Sequence, residues 1–437
     1  MNVAMIGAGR LGLPVSLALA EKFPVKAFDL NPLNMRKRQY PHWEKGPNGE
    51  DDFQARFDRS TLAFCPLKEC VETADVIFVA VETPHQERFD GTHRLPSDRA
   101  DFSYAALESA CRSIAEFVRP HQTVAIISTV LPGTMRRVVK PILGGKCRLA
   151  YAPLFIAMGR VLADFASPEF VLIGEDKKGE AGALCEMYRT FYGTRYVSYA
   201  PNGFQDDEEA ATIKVMSWES AELTKCAAYN CFISQKVMYA NAIMEIAHKI
   251  PNCNCDDVID AVSCATDRLL SPKYLRGGGP DSGGCHPRDL IAMSWLGYGK
   301  HLSANIFESI AQAREQQTEW LVDLFLENAG DLNLCLLGKS YKPETNIATG
   351  SGATLMARML TERGRTFAHY DPHVDVSDAK AAFSLLVEPH AYLIATKHAC
   401  FRDCRWPVGS VIVDPHRYIE PQEGVTVIPV GIGTEVN

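Results

Sequence analysis

Val3-Ala4-Met5-Ile6-Gly7-Ala8-Gly9-Arg10-Leu11-Gly12 decides the fold of this chain. A short apolar run suited to a buried strand leads straight into a glycine turn, and Pro14, Val15, Leu17, Ala18 and Leu19 continue as an apolar helix. In such a G-x-G-x-x-G the first glycine permits the tight turn. The second lets a pyrophosphate approach the backbone, and the third lets helix and sheet pack closely. The helix N-terminus then faces the phosphates. Val25-Lys26-Ala27-Phe28-Asp29 reads as a second strand whose acid stands 17 residues beyond Gly12. An acid there suits a ribose hydroxyl and repels the extra phosphate of NADP, so NAD is the expected cofactor. Gly7, Gly9, Arg10, Leu11, Gly12 and Asp29 are its candidate contacts.

Working outward, the strand–helix rhythm continues. Residues 74–81 and 123–127 read as buried strands, ending in Glu82-Thr83-Pro84 and Ser128-Thr129-Val130-Leu131-Pro132-Gly133-Thr134. Ligands of doubly wound sheets collect at the carboxyl ends of strands, which makes Thr83 and Thr129 candidate cofactor or substrate contacts. Threonine also ends strands for local hydrogen-bonding reasons. From about Asp206 to Lys249 no Pro or Gly interrupts a helical pattern. After Gly330 a second α/β unit begins, with strands expected at 332–337, 365–370, 391–396 and 410–415 and a helix over 351–363. This unit lacks a G-x-G-x-x-G, so it is expected to hold a phosphorylated ligand other than a second NAD. The fold class is therefore α/β: two Rossmann-like doubly wound domains joined by a long central helix. The expected divisions are an NAD-binding domain over 1–205, a helical bridge over 206–325 and a second α/β domain over 326–437.

Composition sets the outer bounds. At 437 residues the chain exceeds what one core supports. A net charge of −8 argues against nucleic acid as a partner. No apolar run reaches the roughly 20 residues needed to span a bilayer, and the first strand leaves no room for a signal peptide, so a cytoplasmic protein is expected. Fourteen scattered cysteines read as reduced thiols rather than disulfides. Cys253 and Cys255 form a C-x-C pair that no second pair or histidine cluster completes, so no metal site is expected.

The chemistry concentrates in Gly283-Gly284-Cys285-His286-Pro287-Arg288-Asp289, which sets one thiol beside an arginine, a histidine and a carboxylate. Neighbouring positive charge favours the reactive thiolate. Gly277-Gly278-Gly279 just upstream lets backbone amides approach a ligand closely. The alternative is a glycine-rich loop with an incidental cysteine. Lys225, among small residues in Ala221-Glu222-Leu223-Thr224-Lys225-Cys226-Ala227-Ala228-Tyr229-Asn230, is the unusual charge of the helical segment. Its alternative is a snorkelling lysine at a helix edge.

Together these segments resemble the UDP-glucose/GDP-mannose 6-dehydrogenase family, collinearly over nearly the whole chain. The family's G-x-G-x-x-G start, S-T-V-x-P-G-T turn, K-x-A-A-N helix, G-G-S-C-F-P-K-D loop and F-K-P-x-T strand end stand here as 7–12, 128–134, 225–230, 283–289 and 341–345. The resemblance implies NAD-dependent oxidation of a nucleotide-sugar C6 alcohol to the uronate, with UDP-glucose as the default substrate and a homodimer as the assembly. It implies that Cys285 attacks the intermediate aldehyde and passes through a thioester, that Lys225 stabilises the oxyanion, and that Asp289 lies near the nucleophile and the attacking water. Asn230 and Thr129 complete the implied catalytic set. Lys225, Asn230, Tyr274, Gly278, Gly279, Gly284, Arg288 and Lys342 are the implied sugar-nucleotide contacts.

Three departures stand out. The family's P-E-F-L-x-E-G reads Pro153-Leu154-Phe155-Ile156-Ala157-Met158-Gly159, with Leu154 and Met158 in place of both glutamates. General-base help is worth about 10²–10⁴-fold, so thioester hydrolysis is the step affected. Asn230 stands five residues after Lys225 rather than four, which fits either a π-bulge or Tyr229 in the asparagine's place. Thr349 stands where the family has an arginine. Two alternatives therefore accompany the full oxidation: a reaction that stops at the aldehyde or a stalled thioester, and a nucleotide-sugar-binding protein without turnover. A two-electron 3-hydroxyacid dehydrogenase is a further rival that explains neither the Cys285 loop nor the second α/β unit.

Overall fold

Val3 to Ile6 is buried at every position, and that uniform burial marks a central strand of a parallel sheet. The computed structural model describes residues 1–35, 53–193, 212–269, 271–376 and 385–433. They fall into two compact units, Met1–Pro84 with Phe102–Ala228, and His85–Asp101 with Tyr229 onward.

The first unit is built on eight strands: β1 (Val3–Ile6), β2 (Val25–Phe28), β3 (Ala63–Phe64), β4 (Val76–Val79), β5 (Thr123–Ile126), β6 (Arg148–Tyr151), β7 (Val171–Glu175) and β8 (Ile213–Ser217). Their order is β3-β2-β1-β4-β5-β6-β7-β8. Every neighbouring pair is parallel except β6 with β7. The order reverses between β1 and β4, and that switch is where a doubly wound sheet opens a crevice at its carboxyl edge. Leu13, Leu17, Val25, Phe78, Ile173 and Tyr188 fill the core beneath.

The second unit carries β9 (Asn333–Leu337), β10 (Phe367–Tyr370), β11 (His390–Ile394), β12 (Val411–Asp414) and β13 (Thr426–Pro429) in the order β10-β9-β11-β12-β13. All its pairs are parallel. Its switch lies between β9 and β11. The helices Phe232–Lys249, His286–Gly299, Ile306–Ala329 and Gly352–Glu362 belong to it. Ser351 caps the last of these by accepting from the Ala353 amide at 3.2 Å. Phe325, Leu334, Leu336, Leu355 and Met359 form its core.

Two doubly wound sheets are as the sequence implied, and so is a long helical run, Trp218–Lys249, but it starts later than expected. The expected start at Asp206 and the boundary at 205 lie outside the described residues. At 213–217 the chain is strand, because β-branched Ile213 and Val215 extend beside β7 in parallel register. The helix begins only at Trp218, where Ser217 Oγ accepts from the Ser220 amide at 3.3 Å. All fourteen cysteines are free thiols. Among the described residues no helix is long and apolar enough to cross a membrane.

Phe325 is fully buried in the second unit. Phe325→Ala leaves a cavity there, and a loss of about 3–5 kcal/mol in a urea unfolding curve is expected. A loss below about 1 kcal/mol would contradict this packing.

Candidate active site

In the first unit the glycine turn is shaped by contact. A Cβ on Gly7 would stand 2.5 Å from Ala80 O and one on Gly12 1.8 Å from Gly7 O, whereas one on Gly9 would meet nothing within 4 Å. Gly7 also has φ +98°, a conformation that favours glycine. So Gly7 and Gly12 are required by the protein's own packing, and Gly9 leaves the open face at the end of helix Gly12–Leu19. Asp29 braces the turn, accepting from the Ala8 amide at 2.8 Å. This cradle fits a dinucleotide pyrophosphate with its ribose toward the end of β2.

Across the switch, the ends of β4 and β5 are tied together. Thr83 Oγ1 donates to Thr129 O at 2.7 Å, and Ser128 Oγ donates to Val81 O at 2.6 Å. The turn that follows is held by a residue the sequence reading passed over. Glu222, fully buried, accepts from the amides of Gly133 at 2.5 Å and Met135 at 2.7 Å. Burial pushes its carboxyl pKa up to about 7, although those two amides pull the other way. An acid three residues before Lys225 was the only available signal. Lys225 is itself buried, with Nζ 4.8 Å from the centre of the Phe155 ring, so the snorkelling alternative fails. Leu154 and Met158 pack against the hydrophobic core of this unit.

Thr224–Cys231 is a π-helix, continued by the helix Phe232–Lys249. The extra residue before Asn230 is thus absorbed by a wider turn. Asn230 lies buried and donates to Asp289 Oδ2 at 2.6 Å, which favours the bulge over a substitution by Tyr229.

Cys285 stands at the N-terminal end of helix His286–Gly299, with Pro at the start of the helix. It is half-buried, and a helix N-terminus favours negative charge. Asp289 lies one turn on and is fully buried; its amide donates to Cys285 O at 2.8 Å. Arg288 donates to Asp289 Oδ1 at 3.0 Å, so the two candidates are an ion pair.

The loop before Cys285 is fastened at many points. Asn241 accepts from the Gly278 amide at 3.0 Å and donates to Gly279 O at 3.2 Å. Arg417 donates to Gly277 O at 2.8 Å. A Cβ on Gly278 would come within 2.9 Å of His416 Nδ1. Asp281 accepts from Ser234 Oγ at 2.7 Å and pairs with His286 Nδ1 at 3.0 Å, and Arg314 donates to its carbonyl at 2.6 Å. Burial opposes the Asp281 charge, yet His286, Ser234 and Arg314 hold its carboxyl below the usual range. Gly283 donates to Gly350 O at 2.9 Å, and a Cβ on Gly284 would touch Thr349 at 3.7 Å. Tyr274, at φ +68°, sets its ring edge-on to His286. Lys342 extends over the Tyr341 ring at the end of β9. His85 is half-buried; desolvation first, then Arg288, lowers its pKa to about 4, so it is neutral near pH 7.

The candidates thus gather within their own units. The glycine turn, Asp29, Thr83, Thr129 and Lys225 belong to the first. Asn230, Tyr274, the glycine loop, Cys285, Arg288, Asp289 and Lys342 belong to the second.

The chain belongs to the UDP-glucose/GDP-mannose dehydrogenase family, whose NAD-binding domain matches residues 1–192 and whose central domain matches 219–316. It is an oxidoreductase of the NAD-dependent nucleotide-sugar dehydrogenase class, and its cofactor is NAD. It is 24% identical to the UDP-glucose 6-dehydrogenase TuaD of Bacillus subtilis (strain 168), over 93% of this chain and 84% of that one. It is 27% identical to the GDP-mannose 6-dehydrogenase of Pseudomonas putida, over 74% and 69%. Among solved structures, a UDP-glucose dehydrogenase from Pyrobaculum islandicum superposes with TM-score 0.78 at 24% identity, covering 99% of this chain and 98% of that one. A UDP-D-ManNAc dehydrogenase from Pyrococcus horikoshii gives 0.77 at 20% identity, over 99% of each.

Glu222 makes a signed pH prediction. Its folded pKa of about 7 lies above the ordinary 4.5, so the native state holds a proton that the unfolded chain has released between those values. Its stabilising contribution is full below about pH 4.5 and is lost as pH rises through 7. Glu222→Gln removes that dependence. The stability of the variant relative to the wild type should rise by on the order of 2–3 kcal/mol between pH 4.5 and pH 8 in paired urea titrations. An unchanged difference would show that Glu222 is ionised throughout.

Proposed function

We propose that the protein oxidises the C6 primary alcohol of a nucleotide-linked hexose to the carboxylate, with Cys285 as the covalent nucleophile. The observation that carries this reading is Cys285 at a helix N-terminus, exposed enough to react, with its loop fastened by Asn241, Arg417 and Arg314 and the buried Asn230–Asp289 pair, joined by Arg288, one turn behind. Fixed approach of a nucleophile is what covalent catalysis needs. NAD, when bound at Gly7 to Gly12 and Asp29, supplies the hydride acceptor for both oxidations.

The chain's own residues do the rest. The Cys285 sulfur adds to the carbonyl carbon of the C6 aldehyde, giving a thiohemiacetal; loss of its hydride leaves a thioester, and water releases acid and thiol. Lys225, a buried ammonium held on Phe155, suits the negative charge that develops on the C6 oxygen. Asp289 acts through position: one oxygen is taken by Asn230 and the other by Arg288. Gly278, Gly279, Gly284, Tyr274 and Lys342 are proposed as sugar-nucleotide contacts, with UDP the default nucleotide. Residues 326–437 are proposed as the nucleotide-sugar-binding domain, 206–325 as a helical bridge and 1–205 as the NAD domain.

A homodimer forms part of this reading. Phe232, Tyr239 and Ile246 are exposed at helical spacing along one face, an apolar stripe of the kind an interface covers. Fourteen free thiols suit a reducing compartment such as the cytoplasm.

A second reading has a specific observation behind it. Leu154 and Met158 are packed into apolar surroundings, and Asp289 has a partner on each oxygen, so no group among these offers itself as base for hydrolysis. The thioester then accumulates, or the reaction stops at the aldehyde. NADH formed per UDP-sugar consumed separates the readings. A ratio of about two, with uronate by mass and loss of at least 10²-fold in Cys285→Ala, supports full oxidation. A ratio near one, or a single burst with a sugar adduct on Cys285, supports the second. No NADH from UDP-glucose, GDP-mannose and UDP-ManNAc alike would overturn both.

A further inference from the structure

Glu344, His373 and His398 stand far apart in sequence, yet each lies just beyond the carboxyl end of a different strand: β9, β10 and β11 respectively. Those three strands are adjacent, and the β9/β11 pair is the switch point of the second sheet. The fold therefore gathers two imidazoles and a carboxylate at the edge where such sheets hold ligands. One donor atom from each lies within 4.8 Å of the others. His373 Nε2 is 3.1 Å from Glu344 Oε2, and His398 Nδ1 is 3.7 Å from Glu344 Oε1. The two imidazole rings are 4.7 Å apart between centres.

The surroundings fix which nitrogen of His398 offers a lone pair. Its Nε2 faces Asp371 Oδ2 at 3.0 Å, and an ionised carboxylate only accepts, so Nε2 carries the proton. Its Nδ1 accepts from the Glu344 amide at 3.2 Å, which requires a lone pair there, on the side toward Glu344 and His373. Asp371 is in turn locked by the amides of Lys339, Ser340, His373 and Val374. A buried carboxylate that orients an imidazole so that its other nitrogen keeps its lone pair toward the neighbouring donors is the outer shell that metal-binding histidines use. Glu344 has φ +58°, a conformation costly for a residue with a side chain. His373 and Glu344 are part-exposed, at 37% and 42% of their side chains, which leaves an entry path.

We propose that Glu344, His373 and His398 form a binding site for a divalent transition-metal ion of the zinc type, with Asp371 as the outer partner of His398. Two nitrogens and one carboxylate oxygen match the donor preference of such ions, and three protein ligands leave a coordination position open. The ion takes over the His398 Nδ1 lone pair from the Glu344 amide. Nothing in this site depends on the oxidation proposed above.

The test is metal uptake, read without turnover. Full-length protein is stripped with chelator, dialysed, and titrated with Zn²⁺ by calorimetry and with Co²⁺ by absorption. Wild type should take up one equivalent, and the cobalt form should show visible ligand-field bands without an intense near-ultraviolet thiolate band. His373→Ala and Glu344→Gln, both at part-exposed positions, should each weaken uptake by more than the roughly 10–100-fold typical of losing an outer partner. Their circular dichroism should match wild type. No stoichiometric uptake would overturn the proposal. So would uptake unchanged in both variants, or a cobalt spectrum dominated by thiolate, which would assign the ion to the cysteines instead.

Discussion

The Asp371 carboxylate, withdrawn from water at the end of β10, accepts from the amides of Lys339 and Ser340 through one oxygen and from those of His373 and Val374 through the other. A buried charge costs several kcal/mol unless such partners replace the water it has lost. The same constraint recurs wherever this protein must fix a loop. Glu222 fastens the Gly133 turn, Asp281 fastens the loop before Cys285, and Asp414 takes the amides of Tyr418 and Ile419 through one oxygen. The sheets supply the scaffold, but a parallel strand ends without specifying where its chain goes next. Buried carboxylates supply that specification, since only one loop path satisfies all their lone pairs.

This explains what was legible in the residues. Gly7, Gly9 and Gly12 were legible because sterics leave glycine as the only residue that fits two of those positions, and the spacing to Asp29 follows from strand length. Cys285 was legible through its glycine run. The central strands β1, β4 and β5 announced themselves by unbroken apolar character. The edges did not: β8 is five residues of mixed exposure, and nothing in Ile213–Ser217 forbids the helix that the surrounding pattern suggests. Asp281, Arg314, Ser234 and Asn241 were missed for a different reason. Each is an ordinary polar residue whose meaning lies in a partner dozens of positions away. Long-range pairing of this kind leaves no local pattern.

Membership of the dehydrogenase family and the departures within it now have a common physical setting. Leu154 and Met158 pack, partly buried, against the first unit's core, and Phe155 between them carries the Lys225 ammonium on its face. The segment therefore serves packing and charge placement in place of the acidic chemistry the family pattern puts there. On the proposed mechanism, Cys285, Lys225 and Asp289 beside that change would separate two steps: making a covalent intermediate and clearing it.

The π-helix at Thr224–Cys231 carries a consequence of another kind. One residue added to an α-helix rotates everything after it by about 100°. Such an insertion should have swung Asn230 away from Asp289 and turned the whole face of the following 18-residue helix. The widened turn takes up the surplus locally, so a change in chain length is converted into a change in helix gauge. The segment is an expansion joint: its wider gauge holds an extra residue while Asn230 still reaches Asp289.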